Sequence, residues 1–181
     1  MKVAFCNDAS VHLRDLYDKM SDNIPFAEIN LIDNVHRSSE THVLSRYYWI
    51  RRVIEYCKIG EDDIFLDIGS GLGRPVLQIA METNVKESRG IELSKTRFHK
   101  SNFVLEEMKQ KGLETKVNFI HDTFLNEDHW KGATIVYSWA ECFDSLLPKI
   151  ANIVKECKTL RYVILVGCMF GCEEVKKCNL K

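Results

Sequence analysis

The stretch from Asp63 to Leu93 constrains the fold of this 181-residue chain more than any other. It begins with an apolar run that indicates a buried strand, Ile64 to Ile68, and continues through a turn with glycines at alternate positions. Pro75 follows that turn and suits the first turn of a helix, where its missing amide hydrogen would have no partner. A second strand then ends at Glu92. This order predicts two parallel strands joined by a helix.

The turn between the two strands is suited to bind a nucleoside. Gly69, Gly71 and Gly73 let the backbone approach a ligand closely, and the amides at the start of the helix face it with the positive end of their dipole. An acid at the tip of the next parallel strand, here Glu92, is placed to accept hydrogen bonds from both ribose hydroxyls. The sequence therefore predicts a nucleoside-cofactor site.

The glycine spacing distinguishes two cofactors. A dinucleotide fingerprint requires Gly or Ala at the third position of G-x-G-x-x-G, where this chain has Arg74 or Val76, depending on the starting glycine. The pattern that fits is acid-x-Gly-x-Gly-x-Gly from Asp67 to Gly73, the first motif of class I methyltransferases that use S-adenosyl-L-methionine. The alternative is a glycine-rich turn without a ligand. We expect an α/β fold with a Rossmann-like, doubly wound, mostly parallel sheet.

The residues around the motif resemble one family within that class. The segment from Glu61 to Leu93 contains DDIFLDIGSGLG, PVLQIAMETNVK and GIEL. It is similar to the disruptor-of-telomeric-silencing histone lysine methyltransferases, which have no SET domain. The resemblance covers the middle third of the chain well and implies an enzyme that methylates a lysine side chain of a protein substrate, a histone or another protein. In that interpretation Asp67 and the three glycines shape the methionine pocket and Glu92 holds the ribose.

The resemblance also implies cofactor-binding residues outside this segment. The relatives carry a Tyr-Gly-Glu loop over the methionine end of the cofactor, and Glu40 matches its glutamate; Glu40 either binds the ammonium group or lies in the first turn of a helix. Asp122 follows the predicted third strand, Val117 to His121, and either accepts a hydrogen bond from the adenine amino group or caps a turn. Phe124 offers a ring to stack on adenine, although Thr123 separates it from the acid.

The acceptor side is expected at the end of the fourth strand, Ala133 to Trp139, because parallel strands direct their carboxyl ends to one crevice. Tyr137, Ser138 and Trp139 are the candidate catalytic residues there. Trp139 either forms the wall of a lysine channel or packs in the core. The resembled family has paired asparagines before a phenylalanine at this place, which the chain lacks, and no residue is predicted to act as a general base.

Residues 1–39 are predicted to form an N-terminal helical and irregular segment, with a helix from Ser10 to Met20, and residues 40–181 the methyltransferase domain. A short segment after the fifth strand predicts a sheet edge that needs a partner or a cover. The other predicted elements are helices over Glu40 to Cys57, Lys95 to Lys111 and Phe143 to Cys157, and a fifth strand from Tyr162 to Val166.

Composition excludes several classes of protein. The net charge is −1, so no global field draws the chain to nucleic acid or to an anionic membrane, and no strong nucleic-acid patch is expected. The resembled family holds the nucleosome with a lysine-rich tract, and the longest one here is Lys176-Lys177, which weighs against a histone substrate specifically. Seven cysteines without a C-x-x-C pair favour a reducing, intracellular environment and predict neither a disulfide framework nor a metal site. The longest apolar run, Tyr162 to Phe170, is too short to span a bilayer. Two other functions stay open: a methyltransferase for RNA or a small molecule, and a non-catalytic interaction module.

Overall fold

The computed structural model describes residues 7–20, 23–25, 28, 47–139 and 144–167. Within these ranges five strands form one sheet of order β3-β2-β1-β4-β5, and every pairing is parallel. The order reverses between β1 and β4, so the sheet is doubly wound and its crevice lies at the carboxyl ends of these two strands. The predicted Rossmann-like architecture is confirmed. The strands are β1 Ile64–Ile68, β2 Glu87–Glu92, β3 Val117–His121, β4 Ile135–Trp139 and β5 Tyr162–Val166.

The described helices agree with most of the predicted ones. The predicted first helix is found a few residues earlier, and the predicted helix from Phe143 begins only at Leu147, where Pro148 lies in its first turn. The predicted positions 40–46 and 168–181 lie outside the described residues. None of the described helices is long and apolar enough to cross a membrane. The helices are α1 Asn7–Lys19, α2 Tyr47–Cys57, α3 Arg74–Glu82, α4 Lys95–Gln110 and α5 Leu147–Glu156, with 3₁₀ turns at Glu127–Trp130 and Asp144–Leu146.

The sheet separates two hydrophobic cores. Side chains alternate between its faces, so Phe65 of β1 lies in the core under α1 to α4, while Leu66 and Ile68 lie in the core under α5. Helices therefore cover both faces of the central strands, as expected for a parallel sheet. The first core includes Leu77, Val104, Phe119, Ile135 and Tyr137, and the second includes Ile91, Phe124, Trp130, Val136 and Ile150.

Two glycines bring the turn after β1 close to the neighbouring strands. A Cβ atom on Gly73 would lie 2.4 Å from Cζ of Phe119, and one on Gly90 would lie 2.7 Å from Oγ of Ser70. Both distances are far below van der Waals contact, so larger residues would push the turn away from β2 and β3. The glycines thus fix the turn directly above the carboxyl ends of the strands.

Candidate functional site

The turn after β1 has the backbone conformation that its glycines predict. Gly69, Gly71 and Gly73 have φ angles of 75°, 56° and 82°, in the left-handed region that side chains disfavour. The amides of Gly69 and Ser70 both donate to the Ile91 carbonyl at 2.9 Å. The turn is therefore tied to the end of β2, next to the acid that follows.

Glu92 lies beside this turn at the tip of β2, and only 6% of its surface is exposed. Its Oε2 accepts a hydrogen bond from the Gly71 amide at 2.7 Å, and its Oε1 accepts one from the Ser94 amide at 2.8 Å. Each carboxylate oxygen has two lone pairs, so each retains one further acceptor position. The geometry fits a ligand with two neighbouring hydroxyl donors, such as the ribose of a nucleoside.

Asp67 is the second acid of the site and is 2% exposed at the end of β1. Burial, and secondly the charge of Glu92, raise the pKa of Asp67 well above its usual value. A cation bound beside this carboxyl group would lower that pKa again, because opposite charge favours the ionised form. The pair of acids therefore favours a ligand that carries hydroxyl groups and a positive charge.

An aromatic cluster from α1 and α2 packs against the same turn. The hydroxyl of Tyr17 donates to the Leu72 carbonyl at 3.0 Å, and the Arg74 guanidinium lies 4.8 Å from the Tyr17 ring and 5.2 Å from the Tyr47 ring. These residues could not be identified from the sequence, because 55 positions separate Tyr17 from Leu72 and no local motif connects them.

Asp122 lies at the carboxyl end of β3, as predicted, and its carboxylate already has internal partners. Oδ1 accepts from the Thr123 amide at 2.7 Å, while Oδ2 is 3.1 Å from Asn126 Nδ2 and 2.7 Å from His129 Nε2. The hydrogen bond with His129, and then that with Asn126, lower the pKa of Asp122. Its side chain is still 41% exposed. Asp122 caps this turn, and its contact with adenine stays a prediction.

Phe124 does not lie in the crevice. It is 1% exposed and belongs to the core under α5, where the Trp130 indole donates to the Phe124 carbonyl at 2.8 Å. Phe124 lies within a turn that the bond from the Asn126 amide to the Thr123 carbonyl closes at 3.2 Å, directly after Asp122 and Thr123. The extra residue Thr123 thus carries the ring into the core, which corrects the expected stacking on adenine.

The three candidate catalytic residues of β4 differ in their positions. Tyr137 is 1% exposed and packs beside Phe65 at a ring distance of 6.2 Å, and Ser138 is fully buried with its hydroxyl donating to the Ile68 carbonyl at 2.8 Å. Both side chains are buried in the sheet and not exposed at its end, which corrects their assignment as catalytic residues. Trp139 is half-buried at the end of β4, paired with Val166 of β5, and is the only one of the three that we retain.

Two further predictions have no structural test here. Glu40, predicted to bind the ammonium group of the cofactor, lies outside the described residues. The segment from Cys168 to Lys181, from which a covering partner for the sheet edge was predicted, also lies outside them. In the part of the chain that the structure describes, no three His, Cys, Asp or Glu side chains are grouped to hold a metal ion.

Comparison with known proteins connects this geometry to a family. The family model described as histone methylation protein DOT1 matches residues 36–169. The chain belongs to the DOT1 family. This is the family that the segment around the glycine turn resembles in sequence, and the match extends over the whole described sheet.

Two curated relatives match parts of this DOT1 family member. A protein-lysine N-methyltransferase from Saccharolobus islandicus (strain REY15A) is 25% identical over 107 residues, which are 59% of this chain and 65% of the relative. A histone-lysine N-methyltransferase, H3 lysine-79 specific, from Cryptococcus neoformans var. neoformans serotype D (strain JEC21) is 32% identical over 66 residues, which are 36% of this chain and 10% of the relative. The chain therefore spans less than two thirds of the length of either relative.

A solved structure shows the same fold. The RNA methyltransferase from Salinibacter ruber, crystallised in complex with S-adenosyl-L-homocysteine, superimposes with a TM-score of 0.55 at 25% sequence identity. The alignment covers 65% of this DOT1 family member and 71% of the Salinibacter chain. The sheet and helices described above thus form a class I methyltransferase fold.

Proposed function

We propose that this DOT1 family member is an S-adenosyl-L-methionine-dependent methyltransferase that modifies a lysine side chain of a protein. The observation that carries this proposal is the position of Glu92, whose carboxylate is held by the Gly71 and Ser94 amides at the tip of β2. Family membership supports the reaction, since the Saccharolobus and Cryptococcus relatives are both lysine methyltransferases.

The residues present fit S-adenosyl-L-methionine. When bound, this cofactor supplies a methyl group on a positively charged sulfur. Glu92 has one free acceptor position on each oxygen for the two ribose hydroxyls, and Asp67 with the glycine turn would hold the cationic methionine end. Asp122 is exposed enough to accept a hydrogen bond from the adenine amino group. The bound S-adenosyl-L-homocysteine of the Salinibacter enzyme supports the same ligand class.

Asp67 contributes to cofactor binding through its charge. Burial raises its pKa well above the usual value when no cation is present. A sulfonium or ammonium group nearby would stabilise the ionised form and lower that pKa. Attraction between the Asp67 carboxylate and a positively charged sulfur favours the cofactor over its neutral-sulfur product.

Trp139 contributes on the acceptor side. A lysine amine is nucleophilic only when it is neutral, and an apolar aromatic wall disfavours the charged amine. Trp139 ends β4 and is half-buried, which supports the proposal that its ring excludes water from the incoming side chain. The described residues provide orientation and desolvation, and we assign no general base among them.

One observation favours a second candidate function, a methyltransferase for RNA. The Salinibacter structure is an RNA methyltransferase and matches at 25% identity over 71% of its length. The net charge of −1 weighs against this alternative, because nucleic-acid binding relies on contacts from Lys and Arg to phosphate. Protein lysine methylation therefore remains the function that we propose.

A methyl-transfer assay tests the proposal. The protein is incubated with radiolabelled S-adenosyl-L-methionine and, in separate reactions, with nucleosomes, free histones, total cellular protein and total RNA. We expect label in protein that hydrolysis recovers as methyl-lysine, and much less label after Glu92→Ala at cofactor concentrations near the wild-type dissociation constant. Glu114→Gln, on an exposed residue, is the matched control that keeps activity. Label only in RNA supports the second candidate, whereas bound cofactor without any transfer contradicts both and indicates a non-catalytic module.

A further inference from the structure

A chain of hydrogen bonds connects Glu28 to the acid that we assign to the ribose. The Ser94 hydroxyl donates to Glu28 Oε2 at 2.5 Å, and the Ser94 amide donates to Glu92 Oε1 at 2.8 Å. The other oxygen of Glu92 accepts from the Gly71 amide at 2.7 Å. A residue more than 60 positions upstream thus reaches both the acid and the glycine turn through Ser94.

Thr96 fixes Glu28 in this position. Its hydroxyl donates to Glu28 Oε1 at 2.7 Å, and its amide lies 3.1 Å from Oε2. Burial alone opposes ionisation, but the hydrogen bonds from Ser94 and then Thr96 lower the pKa of Glu28 below its usual value. The carboxylate is therefore charged at neutral pH, and its hydrogen bonds belong to the stronger, charge-assisted class.

Capping of α4 does not by itself explain the position of the Glu28 carboxylate. Ser94 already caps this helix, because its Oγ accepts from the Arg97 amide at 3.1 Å. The bond to Glu28 uses the hydroxyl hydrogen of Ser94 and so fixes the rotamer and position of the residue whose amide holds Glu92. Loss of Glu28 leaves the Ser94–Arg97 bond in place but removes the acceptor of the Thr96 amide and one restraint on Ser94, whose amide holds Glu92.

A second contact comes from the same N-terminal part of the chain. The Tyr17 hydroxyl donates to the carbonyl of Leu72, the residue after Gly71, at 3.0 Å. The Lys100 ammonium of α4 also donates to the Asn23 carbonyl at 3.3 Å. Residues before position 30 thus contact the glycine turn on one side and the segment after Glu92 on the other.

We propose that Glu28 is a positioning residue for the ribose of the cofactor, acting through Ser94 on Glu92. This inference rests on the proposed function, because it takes the ligand of Glu92 to be a nucleoside. It extends the cofactor site to the N-terminal segment, which the glycine motif does not include.

The test compares two ligands rather than one. Calorimetric titration measures the dissociation constants of S-adenosyl-L-homocysteine and of its 2′-deoxy analogue for wild type, Glu28→Gln and the control Glu114→Gln, an exposed residue with the same change of charge. For Glu28→Gln we expect roughly tenfold weaker binding of S-adenosyl-L-homocysteine, from a misplaced charged hydrogen-bond acceptor. The preference of wild type for the full ribose should fall by a similar factor, and the control should change neither value.

The ratio of the two dissociation constants distinguishes a positioning role from a general loss of structure. A merely structural role weakens both ligands equally, so an unchanged preference for the full ribose in Glu28→Gln overturns the inference. If Glu28→Gln does not fold, Thr96→Val can be judged by the same criterion. Its expected effect on the preference for the full ribose is smaller, because it removes one bond to Glu28 and leaves Ser94 in place. Wild-type protein that binds neither ligand overturns the proposed function and this inference with it, whereas wild-type binding with an unchanged ratio overturns the inference alone.

Discussion

Replacing Gly73 by alanine should destabilise the protein far more than the same change at Gly112. Both glycines have positive φ angles, 82° and 89°, so alanine is strained at either position. At Gly112 the added Cβ meets nothing within 4 Å, whereas at Gly73 it would lie 2.4 Å and 2.5 Å from Cζ and Cε1 of Phe119. The pair therefore separates backbone strain from steric overlap.

The expected magnitudes follow from these two terms. Left-handed backbone costs a residue with a Cβ about 1–2 kcal/mol, which is the whole expected effect of Gly112→Ala. Phe119 is only 7% exposed, so its ring has no free space to enter. Overpacking adds about 1–3 kcal/mol, and Gly73→Ala should thus cost about 2–5 kcal/mol in total.

Urea denaturation followed by circular dichroism measures both free energies of unfolding. Phe119→Leu provides a second check, because a smaller side chain relieves the overlap with Ala at position 73 but not the backbone strain. Gly73→Ala should then cost less in the Phe119→Leu background than in wild type, by about 1–3 kcal/mol. Equal costs for Gly73→Ala and Gly112→Ala, or no coupling to Phe119, would refute the reasoning.

Three other residues give predictions of different sign. The pKa of Asp67 is raised by burial and by Glu92, so its contribution to stability is present below its unfolded pKa of about 3.9 and is lost as pH rises through the folded value. Asp67→Asn should therefore be more stable than wild type at neutral pH. A difference in stability that persists unchanged in acid would contradict this. Burial opposes ionisation of Asp63, but hydrogen bonds from Thr134, Gly60 and Arg161 lower its pKa. Asp63→Asn should therefore lose the stability that wild type shows above about pH 4, and its free energy of unfolding should change less with pH in acid. Parallel pH profiles of unfolding for the two proteins would contradict this. Trp139→Ala should lower methylation turnover about 10- to 100-fold and change cofactor affinity, measured by calorimetry, only a little. Its loss of stability, measured by the urea midpoint, should be smaller than the roughly 3 kcal/mol of a fully buried tryptophan, because Trp139 is half-buried. Unaltered turnover would remove Trp139 from the acceptor side.

Much of the sheet was predictable because β1, β4 and β5 are short, mostly apolar runs. β1, β3 and β5 begin and end at the predicted residues, and β2 ends at Glu92 as expected. The glycine turn was also predictable, since alternate glycines are required where the backbone has positive φ. These features depend on residues that are close together in the sequence.

The misplaced residues depend on packing that local sequence does not show. Neighbouring side chains of β4 point to opposite faces, and both faces are covered, so Tyr137 and Ser138 are buried although they lie near the strand end. Phe124 lies within a turn that hydrogen bonds from Leu125 and Asn126 to Thr123 hold in place. Glu28 reaches Ser94 across 66 positions, and no motif predicts such a contact.

Binding of S-adenosyl-L-homocysteine to wild type and Glu92→Ala, measured by titration calorimetry beside a nicotinamide dinucleotide, tests the central claim most directly. The account predicts that wild type binds S-adenosyl-L-homocysteine and not the dinucleotide. Glu92→Ala should bind more weakly by about 1.5–3 kcal/mol, because it loses charged hydrogen bonds to the ribose. Equal affinity of the two proteins, or tighter binding of the dinucleotide by wild type, would contradict the assignment of Glu92 and of the cofactor.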